Sequence, residues 1–239
     1  MCRKGLALGT AIEGLIFDLD NTLLDRQALF RRVAESFYEE YLRGSTCVSQ
    51  DDAVEKMVEW DGDGYASKAE VFGRFLDEWP DTGLHLDSLI EWYRAETERQ
   101  VDPDLRVNEY LVYLNEQQVP WGIVTNGSRS QHRKCRAAGL DELAPFIIVS
   151  EEAGYAKPDT RIFRDALEAT GLTRPEQVMF VGDNPVADID GAKRFGMKAA
   201  WVRRGREYPV GLRAPDYVID FVTEVQEIVD LGRRSDREG

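Results

Sequence analysis

Short, nearly continuous apolar segments are the feature that most constrains how this chain can fold. One apolar run covers residues 14–17, and further runs recur after Val107. Their positions are 121–126, 146–150, 177–183, 198–204 and 216–219. Segments that are apolar at nearly every position are typical of strands covered on both faces, as in parallel sheets. The sequence therefore predicts a parallel sheet whose first strand begins near residue 14.

Helical periodicity fills much of the sequence between these predicted strands. Two apolar faces are Val107, Tyr110, Leu111 and Leu114, and then Ile162, Phe163, Ala166 and Leu167. Gly171 follows the second face, and glycine commonly ends a helix. Strands that alternate with helices predict an α/β fold with helices on both faces of the sheet.

Residues 25–104 interrupt this alternation with helical patterns only. Their apolar stripes are Leu29, Val33, Phe37 and Tyr41; Val71, Phe72, Phe75, Leu76 and Trp79; and Leu86, Leu89, Ile90 and Tyr93. Stripes with this spacing favour helices that bury one face in a core. The sequence therefore predicts an all-helical module inserted directly after the first strand.

The composition indicates a packed globular protein and narrows the set of partners. The chain has 239 residues, of which 43% are hydrophobic and 31% are charged, and its formal net charge is −14. An acidic balance of this size argues against nucleic acids and anionic membranes as partners. An anionic substrate would need a local positive site or a metal ion.

The cysteines and the chain termini favour a cytoplasmic protein. The three cysteines are Cys2, Cys47 and Cys135, and they show neither metal-ligand spacing nor a disulfide framework. Residues 3–12 place basic side chains before an apolar run, as a secretory signal does, but the run is short and Glu13 interrupts it. No apolar run is long enough to span a bilayer. The last residues, 232–239, are predicted to form a polar tail.

Two carboxylates follow the first predicted strand. Asp18 and Asp20 come directly after the apolar run, and Asn21 and Thr22 complete the motif. Ligands in open α/β sheets bind beyond the carboxyl ends of the strands, so these carboxylates lie where a reaction site is expected. The same motif could also form a strand end followed by a tight turn.

Three further motifs follow later strands or lie in loops next to them. Thr125, Asn126 and Gly127 could form a turn, or a cradle for an anion at a helix N-terminus. Lys157 precedes Pro158 in a loop, and a lysine there could simply be solvated. The last motif is Gly182, Asp183, Asn184 and Pro185, with Asp188 and Asp190 after it. Its oxygen atoms could bind a hard cation or cap a helix.

Together, the four motifs resemble those of the haloacid dehalogenase-like (HAD) hydrolase superfamily, and the resemblance covers essentially the whole chain. The matching residues are Asp18-Leu19-Asp20-Asn21-Thr22, Thr125-Asn126-Gly127, Lys157-Pro158, and Gly182-Asp183 with Asp188. The resemblance implies a Rossmann-like core of residues 1–24 and 105–239, with a helical cap of residues 25–104. It also implies an enzyme that acts on phosphate monoesters through an aspartyl-phosphate.

The resemblance implies a role for each motif residue. Asp18 would be the nucleophile, and Asp20 would be the general acid and then the general base. Lys157 would counter the charge on Asp18 and on the phosphoryl group. Thr125 and the Asn126 amide would hold the phosphoryl oxygens.

Mg²⁺ is the implied cofactor, because clustered aspartates would otherwise repel one another and a phosphate. The implied ligands are the Asp18 carboxylate, the Asp20 main-chain carbonyl and the Asp183 carboxylate. Asp188 would lie near these ligands or contact them without binding the metal itself. The predicted substrate is a small phosphorylated metabolite such as a nucleoside monophosphate or a sugar phosphate. The sequence predicts neither its identity nor the oligomeric state.

Other members of the superfamily catalyse other reactions, and Asp20 helps to separate them. A halide leaves without a proton whereas an alkoxide needs one, and the family's dehalogenases lack the second aspartate. A phosphatase is therefore favoured over a dehalogenase, and the lack of a membrane-spanning run disfavours the ion pumps. A phosphomutase stays open, since it would use the same two aspartates. A non-catalytic binding protein is disfavoured because no charged motif residue is missing.

Residues 60–72 are the most unusual stretch of the predicted cap. An Asp-Gly-Asp-Gly run suggests a calcium loop, but the twelfth position from Asp61 is Phe72 rather than Glu. A flexible loop that touches the substrate is favoured instead. Candidate substrate contacts are Tyr65 and Lys68 in this stretch, and Arg26 and Arg129 near the motifs. A plain surface role fits each of them equally well.

Overall fold

The computed structural model describes residues 11–44, 48–64 and 66–229. Tyr65, the predicted polar tail and most of the signal-like segment lie outside these residues. The chain divides into two compact units. The sheet unit is formed by the chain up to Leu24 and from Asp104 onward, and the helical unit is Asp25–Pro103.

Within the described residues, six strands form one parallel sheet. The strands are β1 (Gly14–Phe17), β2 (Trp121–Thr125), β3 (Ile147–Val149), β4 (Val178–Gly182), β5 (Lys198–Val202) and β6 (Tyr217–Ile219). Each lies within a predicted strand, so the prediction of a parallel sheet is confirmed. The predicted bounds run one or two residues too long because they include flanking polar residues such as Asn126, Asp183 and Arg203.

The helices in the described residues include all five that apolar stripes predict. They are α1 (Arg26–Phe37), α2 (Gln50–Asp61), α3 (Lys68–Glu78), α4 (Leu86–Gln100), α5 (Leu105–Glu116), α6 (Ser130–Ala137), α7 (Ser150–Ala153), α8 (Thr160–Thr170) and α9 (Gly191–Phe195). No predicted stripe covers α2, α6, α7 or α9, and the buried face of α2 is Ala53, Val54, Met57 and Asp61. Its apolar positions are few and its face includes an acid, so its stripe is weak.

The strand order is β3-β2-β1-β4-β5-β6, which is the order of a Rossmann-like sheet. In such a sheet the chain moves outward in one direction from β1 and in the other from β4. The crevice between the carboxyl ends of β1 and β4 is therefore the switch point at which ligands bind. Asp18 follows β1 and Asp183 follows β4, so both carboxylates lie at this crevice.

Side chains of β1 alternate between cores on the two faces of the sheet. Ile16 packs in one buried cluster with Phe163 of α8 and Phe180 of β4. Phe17 faces the other way, with its ring centroid 6.3 Å from that of Tyr110 on α5. The prediction of helices on both faces is therefore confirmed. With both faces apolar, the polar chemistry of this sheet is confined to the strand ends.

The described part of the helical unit contains α1–α4 and no strand. Its core is aromatic, with the Phe37 ring 5.2 Å from that of Phe75 and 6.1 Å from that of Trp79. Side-chain caps fix where the helices begin: Asp25 accepts a hydrogen bond from the Ala28 amide, 3.1 Å away. The predicted all-helical module is therefore present.

Residues 60–72 do not form the single flexible loop that the sequence suggested. Residues 60–64 lie at the end of α2 and in a short turn, and residues 66–72 lead into and begin α3. Gly62 ends α2 in a left-handed conformation, with φ of 51°. Ser67 and Glu70 then start α3 through reciprocal capping hydrogen bonds. Gly62 of the Asp-Gly-Asp-Gly run therefore ends one helix shortly before the next begins.

Within residues 11–44, 48–64 and 66–229, no helix has both the length and the apolar character needed to cross a bilayer.

Candidate active site

Asp18 and Asp183 are positioned by neighbouring strands. Phe17 pairs with Val181, so the two strands end side by side. The Asp18 amide extends this ladder and donates to the Val181 carbonyl, 2.9 Å away. The sheet therefore fixes the backbone of both aspartates.

The chain turns sharply directly after Asp18. The Leu19 carbonyl accepts hydrogen bonds from the amides of Leu23 and Leu24, at 2.9 and 3.0 Å. Asn21 adopts a left-handed conformation with φ of 63°, which asparagine tolerates better than most residues. This turn ends the strand after Asp18 and carries Asp20 out of the sheet.

Three buried carboxylates meet at the switch point. One oxygen each from Asp18, Asp183 and Asp188 lies within 4.8 Å of the others. Burial raises the pKa of Asp18 well above its usual value. The charge of Lys157 opposes this shift, and the charges of Asp188 and Asp183 reinforce it. Burial and the Asp188 charge also raise the pKa of Asp183, to about 6. The cluster therefore holds excess negative charge.

Lys157 is buried against this cluster. Its Nζ lies 2.6 Å from Asp18 Oδ1 and 2.8 Å from Asp188 Oδ1. It also donates to the Val124 carbonyl at the end of β2, 2.8 Å away. Burial alone would lower the pKa of Lys157, but the charges of Asp18 and Asp188 raise it. Lys157 is therefore a permanent cation that connects two of the carboxylates.

The Asn126 side chain positions Lys157. Asn126 Oδ1 accepts from the Lys157 amide at 2.8 Å, and its Nδ2 donates to the Lys157 carbonyl at 2.9 Å. The prediction that Asn126 holds phosphoryl oxygens left open which amide was meant. These bonds occupy Oδ1 and one hydrogen of Nδ2, so the main-chain amide and the second Nδ2 hydrogen are the donors that this prediction retains.

Asp188 is held from two sides. Its Oδ2 accepts from the Asn184 amide, 2.8 Å away, while Oδ1 faces Lys157. A β-carbon at Gly182 would lie 2.4 Å from Asp188 Oδ2. Glycine is therefore required at the end of β4 for Asp188 to reach the cluster.

Asp183 has partners that the sequence analysis did not identify. Its main-chain carbonyl accepts hydrogen bonds from Trp201 Nε1 and Arg206 Nη2, both at 2.9 Å. Arg206 Nη2 also lies 2.9 Å from Asp183 Oδ2. Both partners come from β5 and the loop after it, and an arginine just beyond a predicted strand end was the only sequence signal for this role.

The Asp20 carboxylate lies with α6 rather than with the three clustered carboxylates. Lys134 Nζ is 2.9 and 2.7 Å from its two oxygens, and Gln131 Nε2 is 2.9 Å from Oδ2. Gln131 Nε2 also donates to Thr125 Oγ1 at 2.7 Å. The sequence analysis missed Gln131 and Lys134. Their spacing of three residues on the helix after Thr125 could have indicated a shared face.

The cluster fits a hard dication such as Mg²⁺. All of its donor atoms are carboxylate oxygens, which Mg²⁺ prefers. Three carboxylates against the cations of Lys157 and Arg206 leave one uncompensated negative charge. Burial is the main cause of the raised pKa values of Asp18 and Asp183, and the charges of the neighbouring carboxylates add to it.

Three of the remaining candidate substrate contacts pair with acidic side chains of their own unit. In the helical unit, Arg26 and Lys68 both bind Asp61, with Arg26 Nη2 and Lys68 Nζ at 2.7 and 2.5 Å from Asp61 Oδ1. In the sheet unit, Arg129 is exposed and lies 3.5 Å from Glu152. Tyr65 lies outside the described residues. Asp61 is thus neutralised by two cations instead of forming part of a calcium loop.

The sheet order and the polar cluster at its switch point define an α/β enzyme with a Rossmann-like core. The family described as haloacid dehalogenase-like hydrolase matches residues 15–202. The chain belongs to this family, and the predictions of the superfamily, the fold class and a hydrolase are confirmed.

The chain is similar to known phosphatases over most of its length. A glyceraldehyde 3-phosphate phosphatase from Pyrococcus furiosus is 28% identical, over 95% of this chain and 97% of its own. A phosphoserine phosphatase from Thermus thermophilus is 30% identical, over 84% of this chain and 80% of its own. Among solved structures, the HAD-hydrolase YfnB from Bacillus subtilis has a TM-score of 0.73 and 25% identity, covering 92% of this chain and 99% of its own. That structure is described as bound to magnesium.

Proposed function

We propose that the protein is a Mg²⁺-dependent phosphatase that hydrolyses a small phosphorylated metabolite, such as a nucleotide or a sugar phosphate, through an aspartyl-phosphate. The observation that carries this proposal is the contact of Lys157 Nζ with Asp18 Oδ1 at 2.6 Å, beside the carboxylates of Asp183 and Asp188. The phosphatase names of the relatives support the same reaction class.

Asp18 is the proposed nucleophile. Lys157 fixes its Oδ1, and the β1–β4 ladder fixes its backbone. A carboxylate oxygen of Asp18 attacks phosphorus, the bond to the leaving oxygen breaks, and an aspartyl-phosphate forms. A carboxylate held in one orientation loses little entropy in reaching the attacking geometry.

Asp20 is the proposed acid and base. In the first step it donates a proton to the leaving alkoxide. In the second step water attacks the phosphorus of the aspartyl-phosphate, and Asp20 takes the proton from that water. Phosphate then leaves, and the Asp18 carboxylate and the Asp20 proton are restored.

The phosphoryl oxygens are held by groups at the end of β2. Thr125 and the Asn126 amide are the proposed donors. Lys157 balances charge on the phosphoryl group as well as on Asp18. Fixed donors and cations of this kind commonly supply the largest share of the stabilisation of a transition state.

The Asp18 and Asp183 carboxylates, with the Asp20 main-chain carbonyl, would hold Mg²⁺. Asp188 would support them, because its oxygens already face Lys157 and the Asn184 amide. When bound, Mg²⁺ would neutralise charge on the carboxylates and on the phosphoryl oxygens. The helical unit follows β1 in the sequence, and its role as a cap that selects the substrate remains a prediction.

The test is phosphate release from a panel of phosphorylated metabolites, scored by kcat/KM, with Mg²⁺ and after removal of metal with a chelator. Wild type is expected to release phosphate only with the metal, and Asp18→Asn is expected to lose turnover. Asp102→Asn makes the same chemical change at an exposed position and should match wild type. Conversion of a sugar phosphate to its isomer without phosphate release would instead indicate a phosphomutase. No turnover of any kind would favour a binding protein.

A further inference from the structure

Asp20 is bound by two side chains of α6 that belong to none of the four motifs. Lys134 contacts both Asp20 oxygens, and Gln131 donates to one of them. Gln131 is 4% exposed, and the Lys134 side chain is 11% exposed. An exposed lysine would gain little from an ion pair, but here the lysine loses most of its hydration in order to reach Asp20.

Gln131 links Asp20 to the phosphoryl-binding end of β2. Its Nε2 donates to Asp20 Oδ2 at 2.9 Å and to Thr125 Oγ1 at 2.7 Å. The amide has two hydrogens on that nitrogen, so it can serve both partners at once. The opposite orientation would place its oxygen against the Asp20 carboxylate. The chemistry therefore fixes the side chain with its donors towards Asp20 and Thr125.

The backbone before α6 is shaped around Gln131. Gly127 has φ of 149°, which is a conformation that favours glycine. A β-carbon at Gly127 would lie 2.9 Å from Gln131 Cγ. The glycine of the second motif thus makes room for the side chain that connects Thr125 with Asp20.

We infer that Gln131 and Lys134 are positioning residues for Asp20, holding its carboxylate at a fixed place relative to Thr125 so that it can serve the leaving oxygen. This inference rests on the proposed function. A general acid must lie within hydrogen-bond reach of the oxygen that it protonates. Asp20 sits in a turn outside the sheet, so the strand ladder does not set the direction of its side chain, whereas Gln131 and Lys134 do.

The inference is tested by comparing esters that differ in their need for an acid. The probes are p-nitrophenyl phosphate, whose leaving group departs without protonation, and an alkyl monoester that wild type hydrolyses in the metabolite panel. The value of kcat/KM reports formation of the aspartyl-phosphate, which is the step that needs the acid. Lys134→Met and Gln131→Met should lower kcat/KM for the alkyl ester roughly tenfold or more beyond any loss with the aryl ester.

Matched variants separate positioning from folding. Lys193 on α9 is another partly buried lysine, and its Nζ lies 2.7 Å from Asp216. Lys193→Met should leave kcat/KM unchanged for both esters. Lys134→Arg keeps the cation and should restore much of the alkyl activity. If Lys134→Met does not fold, Lys134→Gln supplies the same comparison with a neutral donor.

A double-mutant cycle decides whether Lys134 acts through Asp20. In an Asp20→Asn background, adding Lys134→Met should cause no further loss with the alkyl ester, because the positioned group is already gone. Equal losses for both esters, or a full additional loss in the Asp20→Asn background, would overturn the inference while leaving the phosphatase proposal intact. A wild type inactive on p-nitrophenyl phosphate and on every ester of the metabolite panel would overturn both the inference and the phosphatase proposal.

Discussion

Lys157 Nζ lies 2.6 Å from Asp18 Oδ1, although 139 positions separate the two residues in sequence. The contact is buried, and it joins the end of β1 to the loop that precedes α8. Burying a lysine costs several kcal/mol of hydration unless its charge is matched by partners such as Asp18 and Asp188. The sheet therefore brings one cation to the point where the carboxylates need it.

Removing the Lys157 charge should destabilise the metal-free protein. Lys157→Met leaves Asp18 and Asp188 without their cation, and breaking a buried pair in this way costs about 3–5 kcal/mol. Chemical denaturation with chelator present measures the change in the free energy of unfolding. Lys193→Met is the control, and its less buried pair should cost less than about 1 kcal/mol. Equal changes in the two variants would show that Lys157 is not compensating the carboxylate cluster.

Mg²⁺ should stabilise the fold through Asp183. A ligand that binds only the native state contributes about 2.7 kcal/mol when its free concentration is a hundred times Kd. The Tm of wild type should therefore rise as Mg²⁺ is added to chelator-treated protein. The rise should be much smaller for Asp183→Asn, whereas Asp102→Asn should respond like wild type. A rise of the same size in all three proteins would mean that Mg²⁺ binds elsewhere.

Gly182 should not tolerate a side chain. Its β-carbon would lie 2.4 Å from Asp188 Oδ2, so alanine must displace Asp188 from the cluster. Gly182→Ala is expected to lower both kcat and the stability, by about 1–3 kcal/mol as for other overpacked sites. Gly73→Ala lies in α3 with nothing within 4 Å of the new carbon, and it should stabilise the protein by about 0.5–1 kcal/mol. If both alanines are tolerated equally, the close approach at Gly182 is not needed.

Glu96 should contribute stability that is lost in acid. Burial would raise the pKa of Glu96, but hydrogen bonds from Arg99, Ser36 and Gln100 lower it to about 2. A depressed pKa gives stability that is complete above the unfolded-state value, about 4.3, and disappears as the pH falls towards 2. Glu96→Gln should therefore cost about 1–3 kcal/mol at pH 7. Denaturation curves should show that the difference in the free energy of unfolding between wild type and Glu96→Gln becomes smaller below about pH 4.5. A difference that stayed constant in acid would rule out this ion pair as its source.

The strands were predictable from the sequence because their chemistry is local. Each is a continuous apolar run, and the parallel sheet follows from the alternation of such runs with helices. The α2 helix was missed because its buried positions include Asp61, whose burial depends on Arg26 and Lys68 from other helices. A local pattern does not contain that information.

The site shows the same limit. The motifs placed Asp18 and Asp183 at strand ends and Lys157 in a loop, and the structure brings the three together. Lys134 and Asp20 are 114 positions apart, and neither a strand end nor a motif marks Lys134. Its role depends on which face α6 turns towards the first loop, and only the packed fold fixes that direction.

The most direct test of the account is to trap the aspartyl-phosphate. Asp20→Asn should still react with p-nitrophenyl phosphate, whose leaving group needs no acid, but should stall before hydrolysis, which needs the base. The account predicts a burst of about one nitrophenolate per enzyme, as expected when a covalent intermediate accumulates. Mass spectrometry of the acid-quenched digest should find phosphate on the peptide containing Asp18, and the Asp18→Asn/Asp20→Asn double variant should show neither signal. A burst that persists without Asp18, or phosphate on another residue, would contradict the central claim.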